Sequence, residues 1–361
     1  MNSNQITKIE IEGFKSIKTC SLNLEMINVL IGSNGAGKTN FVSLFKMLQY
    51  MIDGQLQSYI SKNGGPNAFL FFGSKQTERL TVRFFFGNNG YKFTLMPTND
   101  NRMMFFDECF FWNMSGDKHI GSGHFESQWS AGSRTGIDSY VKPILRSQKW
   151  RVYHFHDTGD TALVKQIHGI NDNMELAADA RNLAAFLYRL RETENTSYNQ
   201  IVRMVRLVAP FFDDFVLRAN PFKPDSISLE WKDIYGDIPF AASQLSDGTL
   251  RFICLATLLL QPKPLMPETI LIDEPELGLH PYAISVLASL IKKASNDNQI
   301  IISTQSVELL NEFEAKDVIV VDHRDNQSTF SRLNTEGLNV WLEDDYSIGE
   351  LWKKNILGGR P

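Results

Sequence analysis

The sequence predicts an α/β fold whose core is assembled from the two ends of the chain, with an insertion of mixed β and α character between them. Three observations carry this reading. An apolar run, Met26 to Ile31, passes straight into the glycine-rich octet Gly32-Ser33-Asn34-Gly35-Ala36-Gly37-Lys38-Thr39, and then into Phe41, Leu44, Phe45 and Leu48 at helical spacing. A second apolar run, Ile270-Leu271-Ile272, ends in the adjacent carboxylates Asp273 and Glu274. From Ile227 onward, helical and strand-like stretches alternate as α/β units do. The expected division is 1–100 for the first part of the α/β lobe, 101–225 for the insertion and 226–361 for the second part of the lobe.

In chain order, Ile6 to Phe14 sets Ile9 and Ile11 against Glu10 and Glu12, the alternation of a half-buried strand. Met26 to Ile31 reads as a buried strand, and the segment after Lys38 as a helix. Ser61 to Asn67 is polar and glycine-containing. Leu80 to Phe86 and Tyr91 to Leu95, separated by Gly87-Asn88-Asn89-Gly90, read as a β-hairpin. Met103 to Trp112 reads as a strand, Asn113 to Arg134 as a loop, and Lys149 to Phe155 as another strand. Asn182 to Leu190 and Tyr198 to Val208 carry helical spacing. In the second half Leu250 to Leu260 and Ile284 to Ile291 are helical. Thr269 to Ile272, Ile300 to Ser303 and Val318 to Val321 are strands.

Composition narrows the classes. Hydrophobic residues at 43% and charged residues at 21% belong to a globular chain, not a disordered one, and 25 phenylalanines imply an aromatic-rich core. The formal net charge of −5 excludes a predominantly basic nucleic-acid binder and leaves a local basic face open. Lys142, Arg146, Lys149 and Arg151 form one basic cluster, better read as a solvated face than as a contact for DNA. Cys20, Cys109 and Cys254 are scattered without CxxC spacing, which argues against a disulfide framework and fits a reducing compartment. No apolar run is long enough for a membrane span and no signal peptide is visible, so the expected location is the cytoplasm.

The octet satisfies G-x-x-x-x-G-K-[ST] in full. Glycines let backbone N–H groups wrap a phosphate chain, Lys38 reaches the terminal phosphates, and the Thr39 hydroxyl binds Mg²⁺. The helix that follows points its positive end at the phosphates. Expected nucleotide ligands are therefore Asn34, Gly35, Ala36, Gly37, Lys38, Thr39 and Asn40. At the second apolar run Asp273 is the expected metal carboxylate and Glu274 the base that polarises an attacking water. Glu276 reads as structural. A third element, Gln244-Leu245-Ser246-Asp247-Gly248-Thr249-Leu250-Arg251, opens an apolar helix. By itself Ser246 is an N-cap. Its place ahead of the Asp273 strand favours instead a serine and glycine offered to a phosphate. His154 and His156 flank Phe155 on one expected strand face, but the sequence shows no third metal ligand beside them.

The order of phosphate loop, L-S-D-G-T helix and I-D-E-P-E strand resembles the ABC-type ATPase heads of the RecF, SMC and OLD group. Phe14-Lys15-Ser16 is similar to the turn after their first strand. Asp273 to Pro281, DEPELGLHP, is similar to the form in OLD-like, stand-alone AAA-type ATPases, as are Gly349-Glu350-Leu351-Trp352 and Gly358-Gly359-Arg360-Pro361. The resemblance implies a P-loop NTPase of the ABC-head type that hydrolyses ATP with Mg²⁺. It also implies a homodimer in which Lys38, Thr39, Asp273 and Glu274 act in cis, while Ser246 and Gly248 contact the γ-phosphate held by the opposite subunit.

Two positions depart from the transporter pattern. Asp247 replaces a glycine, as in the RecF and OLD branch. Gln305 stands where transporters and many OLD proteins have histidine. Gln305 can hydrogen-bond a γ-phosphate or its water but cannot carry a proton, so the resemblance carries binding further than turnover. Gln76 is either a Mg²⁺-sensing glutamine or a plain loop residue.

The function implied by the resemblance is a motor or sensor acting with a separately encoded effector, a nuclease in anti-phage defence. Alternatives are a RecF-like repair ATPase that binds DNA directly and a nucleotide-gated scaffold with negligible hydrolysis. No nuclease site of its own is expected. Asp273 and Glu274 are committed to nucleotide, and Asp322 and Asp325 lack an appended domain around them.

Overall fold

The computed structural model describes residues 5–112, 116–131, 136–146, 149–334 and 346–359. The chain divides into two compact units. One comprises Met1–Val152, Pro267–Leu271 and Gln299–Pro361, the other Tyr153–Met266 and Ile272–Asn298.

The first unit holds two six-stranded sheets. One is antiparallel, in the order β2 (Ile17–Asn23), β1 (Lys8–Phe14), β4 (Leu80–Phe86), β5 (Asn89–Pro97), β6 (Met103–Trp112) and β7 (Gly116–Gly121). Its strands alternate as their sequences require: Ile9 and Ile11 are fully buried while Glu12 faces solvent. The other sheet runs β18 (Gln327–Arg332), β17 (Val318–Arg324), β3 (Ile27–Ile31), β16 (Gln299–Thr304), β15 (Thr269–Asp273) and β8 (Trp150–Tyr153). Here β3 is parallel to both β16 and β17. Parallel strands are covered on both faces, which is why β3 and β16 read as unbroken apolar runs rather than alternating ones. Helix α1 (Lys38–Ile52) lies between the two sheets, with Phe45 edge-on to Phe84 of β4 and Phe41 5.3 Å from Phe330 of β18. A short helix, α2 (Leu56–Lys62), follows, its first two backbone N–H groups donating to the Glu126 carboxylate.

The second unit is mainly helical. It comprises α4 (Leu183–Thr193), α5 (Asn195–Val208), α6 (Asp247–Leu260) and α7 (Pro281–Ala294). α6 is buried on every side from Leu250 to Leu260, as an all-apolar helix must be. A β-ribbon joins α5 to α6. β10 (Phe212–Val216) pairs with β13 (Glu230–Asp233), which also pairs with β14 (Phe240–Ala241). Farther along, β11 (Ala219–Asn220) pairs with β12 (Lys223–Ile227), and β12 with β9 (His168–Gly169).

Two expectations are corrected, and one helix stands where the sequence reading assigned nothing. The segment expected to loop after Trp112 contains β7, whose residues are polar because an edge strand has one unpaired side and little to bury; residues 113–115 and 132–135 lie outside the described residues. α2 was hidden in a polar stretch, although Leu56, Tyr59 and Ile60 carry its helical spacing and are buried. The strand expected to reach Phe155 stops at Tyr153, so His154 and His156 share no strand face. No described helix is long and apolar enough to cross a membrane.

Candidate nucleotide-binding site

In the first unit β3 delivers the chain into the glycine-rich loop, and α1 starts at its far side. Gly37 is the residue before the helix, with φ of +119°. A side chain there would put a Cβ 2.1 Å from Ser328 Oγ, so the close approach of β18 as well as the backbone angle demands glycine. Lys38 is folded back over the loop: its ammonium donates to the carbonyls of Gly32 (2.6 Å) and Ser33 (3.1 Å), and the residue is 4% exposed. Asn34, Gly35 and Thr39 are exposed, while Ala36 and Gly37 are buried. Parallel pairing sets Thr304 opposite Ile31, so Gln305 leaves β16 at the same sheet edge at which the loop leaves β3.

The turn between β1 and β2 is wired to the same place. Asn40 Nδ2 donates to Ser16 Oγ (2.7 Å), Ser16 Oγ and Ser328 Oγ share a hydrogen bond (2.7 Å), and Ser328 N–H donates to Ser16 O (2.7 Å). A cavity of about 920 Å³ opens beside this network, lined among the described residues by Lys15, Ser16, Asn40, Phe72, Lys75, His323 and eight others, none of them acidic. Burial, helped by the charge of Lys46, lowers the Lys15 pKa from its usual 10.5. A volume of this size suits a nucleotide-sized ligand, and cations without carboxylates suit an anionic one. The sequence reading missed this cavity. Its signal was Lys15-Ser16 together with the asparagines Asn63, Asn67 and Asn326, which are far apart in the chain. Gln76 is exposed on the turn that follows Gly73, in the loop that also supplies Phe72 and Lys75 to the cavity.

The second unit carries the other motifs. Ser246 caps α6, its Oγ accepting from Thr249 N–H at 3.1 Å, and is exposed. Gly248 backs onto the loop after Glu274: an added Cβ would lie 2.3 Å from Gly278 O. Asp273 is 8% exposed and Glu274 half-buried. Glu274 has φ of +43°, a left-handed conformation that costs a non-glycine residue about 1–3 kcal/mol and is held only where neighbours enforce it. Turns within Glu274–Leu279 and the cap that His280 places on α7 enforce it here.

The histidines play a role the sequence did not disclose. His156 Nε2 donates to the Asp273 carbonyl (2.7 Å), and buried Arg251 of α6 donates to the carbonyls of Phe155 (2.8 Å) and His156 (3.0 Å). They brace the carboxylate strand end, and no group of three or more metal-ligating side chains exists among the described residues. Of the basic cluster, Lys142 is ion-paired to Asp138 (3.1 Å) and Lys149 to Glu268 (2.5 Å), while Arg146 is exposed. Burial pushes the thiols of Cys20, Cys109 and Cys254 up to about 12, so they remain protonated at neutral pH.

Comparison with known proteins agrees with this layout. The model of the family described as "AAA domain, putative AbiEii toxin, Type IV TA system" matches residues 27–311. No curated protein matches the sequence. A crystal structure of an Smc head bound to the C-winged helix domain of ScpA is 18% identical, with a TM-score of 0.62 over 94% of this chain and 99% of that one. The Smc head with an extended coiled coil from Pyrococcus furiosus, bound to the C-terminal domain of ScpA, is 16% identical, with a TM-score of 0.59 over 94% and 99%. The Smc head with a coiled coil and joint from Pyrococcus yayanosii is 13% identical, with a TM-score of 0.54 over the same shares. With a family model spanning well over half of its length, the chain belongs to that AAA-domain family, and it has the fold of an Smc ATPase head.

Proposed function

We propose that this chain binds ATP with Mg²⁺ on the Gly32–Thr39 loop and hydrolyses it, two copies closing on two nucleotides. The observation that carries the reading is buried Lys38, its ammonium held 2.6 Å from the Gly32 carbonyl; Asn40, two residues on, lines the 920 Å³ cavity, whose described lining holds Lys15 and Lys75 and no acid. Its charge is already desolvated and aimed at the loop, so it transfers to phosphate oxygens with little reorganisation. The Thr39 hydroxyl and Asp273 carboxylate are hard oxygen donors of the kind Mg²⁺ takes, and that ion neutralises phosphate charge when bound. Glu274 is the base: a half-buried carboxylate directly after the Asp273 strand end, of the kind that activates a water. Gln305 orients that water or the γ-phosphate without taking a proton. Ser246 and Gly248 complete the site of the second copy, as an exposed helix start can.

The nucleotide state is read by a separately encoded effector in the cytoplasm, a nuclease in anti-phage defence. Two things support this: the family description names a toxin of a toxin–antitoxin system, and Smc heads of this fold are known bound to domains of ScpA.

A fluorescent ATP analogue and light scattering test the core of the reading. Lys38→Ala should lose binding. Glu274→Gln should bind, fail to turn over, and double in mass only with ATP and Mg²⁺. Unchanged mass sinks the two-copy closure, and binding that survives Lys38→Ala sinks the loop as the site. Co-purification with the products of flanking genes, followed by a nuclease assay, tests the effector.

A further inference from the structure

The motif that the nucleotide reading leaves unused is the segment around Gly349-Glu350-Leu351-Trp352 and Gly358-Gly359. It begins with a short helix, α9 (Ile348–Lys353), whose Trp352 is fully buried. The indole N–H of Trp352 donates to the Gly359 carbonyl at 2.6 Å. The Gly359 N–H in turn donates to the Asp322 carboxylate, which also accepts from Arg324 Nε (2.7 Å) and His323 N–H (2.9 Å). Gly359 is thus clasped from both sides, and what it is clasped against is the phosphate loop. A Cβ on Gly359 would stand 3.4 Å from the Gly32 Cα, 3.0 Å from Val321 O and 2.8 Å from Val320 Cγ1. Its φ of +57° excludes an unstrained side chain as well.

The other end of the segment reaches the chain that follows β16. The Gly349 N–H donates to Asn311 Oδ1 at 2.7 Å, at the end of helix α8 (Val307–Leu310). That helix is capped by Ser306, the residue after Gln305. One short segment therefore touches both the first residue of the phosphate loop and the helix that starts just after Gln305.

We propose that residues 347–359 form a brace that positions the phosphate loop for nucleotide, with Trp352 and Gly359 as its positioning residues. The physical basis is that Gly32 is where the loop leaves the rigid sheet. The loop's backbone N–H groups can meet a phosphate chain only if this point is fixed, and the clasp fixes it through backbone packing, not through side chains of the loop itself. The brace acts on ATP through the loop and touches no reacting atom. The proposal rests on the nucleotide reading for its consequence, but not for its structural part.

The test uses the full chain and two variants. Trp352→Phe keeps most of the buried ring and removes the indole donor. Gly359→Ala keeps the indole and introduces the clash. Hydrogen exchange of the unliganded proteins reads the brace directly. Amides of residues 32–37 should exchange faster in both variants, on the order of tenfold, the effect of leaving one buried acceptor without its donor. Amides of β4 and β5 should not change. ATP affinity should fall by a similar factor while β4 and β5 keep their protection, a split that general destabilisation does not produce. Unchanged exchange at 32–37 in both variants overturns the brace, whatever ATP does. No ATP binding to wild type, with exchange at 32–37 still faster in both variants, overturns the nucleotide reading and leaves the brace standing. Uniformly faster exchange across the first unit in both variants would reduce Trp352 to a core residue and overturn the proposal.

Discussion

Replacing Gly37 with alanine sets a Cβ 2.1 Å from Ser328 Oγ and 2.7 Å from Ser328 Cβ, on a residue whose φ is +119°. Two costs add. Holding a non-glycine residue at that backbone angle takes about 1–3 kcal/mol, and overpacking against Ser328 takes about 1–3 kcal/mol more. The sum, about 2–6 kcal/mol, is a large part of a domain's stability. Only the second cost depends on Ser328, so Ser328→Gly should relieve it. Alone, that substitution loses the Ser16–Ser328 hydrogen bond and adds a glycine to a strand, about 1–2 kcal/mol together. The double variant should therefore be more stable than the sum of the singles predicts, by about 1–3 kcal/mol. Native-state hydrogen exchange at Val29, Leu30 and Ile31, which leads into the loop, reports the opening free energy for each protein of the cycle. Strict additivity, to within about 0.5 kcal/mol, would show that the close approach of β18 places no steric demand on Gly37.

Two further outcomes follow from the geometry. Ser246→Arg, which plants a bulky cation at the start of α6, should abolish hydrolysis alone and recover part of it when mixed with inactive Lys38→Ala, since one intact composite site forms per mixed dimer; full activity of Ser246→Arg by itself would reduce the serine to its observed role as a helix cap. Asp138, between β7 and β8 in the chain, is hydrogen-bonded by Lys118 (2.5 Å) and ion-paired to Lys142 (3.1 Å); burial pushes its pKa up, but the hydrogen bonds and charges of the two lysines outweigh burial and hold it below 3.8. A carboxylate with a depressed folded-state pKa contributes stability above its unfolded pKa and loses it as pH falls through the folded one. Urea midpoints of wild type and Asp138→Asn should therefore differ at pH ~6 and converge by pH ~2.5, and a constant gap would contradict the pairing.

Several elements were legible in the sequence because local pattern and final environment coincide. The loop from Gly32 to Thr39 is contiguous, so its strand, turn and helix could be read from one stretch of chain. The largely apolar α6, the hairpin from Leu80 to Leu95 and the strand from Met103 to Trp112 likewise have burial patterns written in their own residues. What failed was wherever a residue's role depends on a distant partner. β7 looks like loop because, among the described residues, it pairs with β6 alone. His156 reads as an ordinary packed or solvated histidine until its Nε2 is found on the Asp273 carbonyl, 117 positions away. Ser16 and Ser328, 312 positions apart, share one hydrogen bond, and nothing local marks either. By itself, then, the sequence determined the chemistry on offer: a phosphate loop, an acid pair and a capped glycine helix start. Tertiary structure alone decided which backbone holds each of them in place, because Gly37 against Ser328, Gly248 against Gly278 and Gly359 against Gly32 are close approaches between segments that meet only after folding.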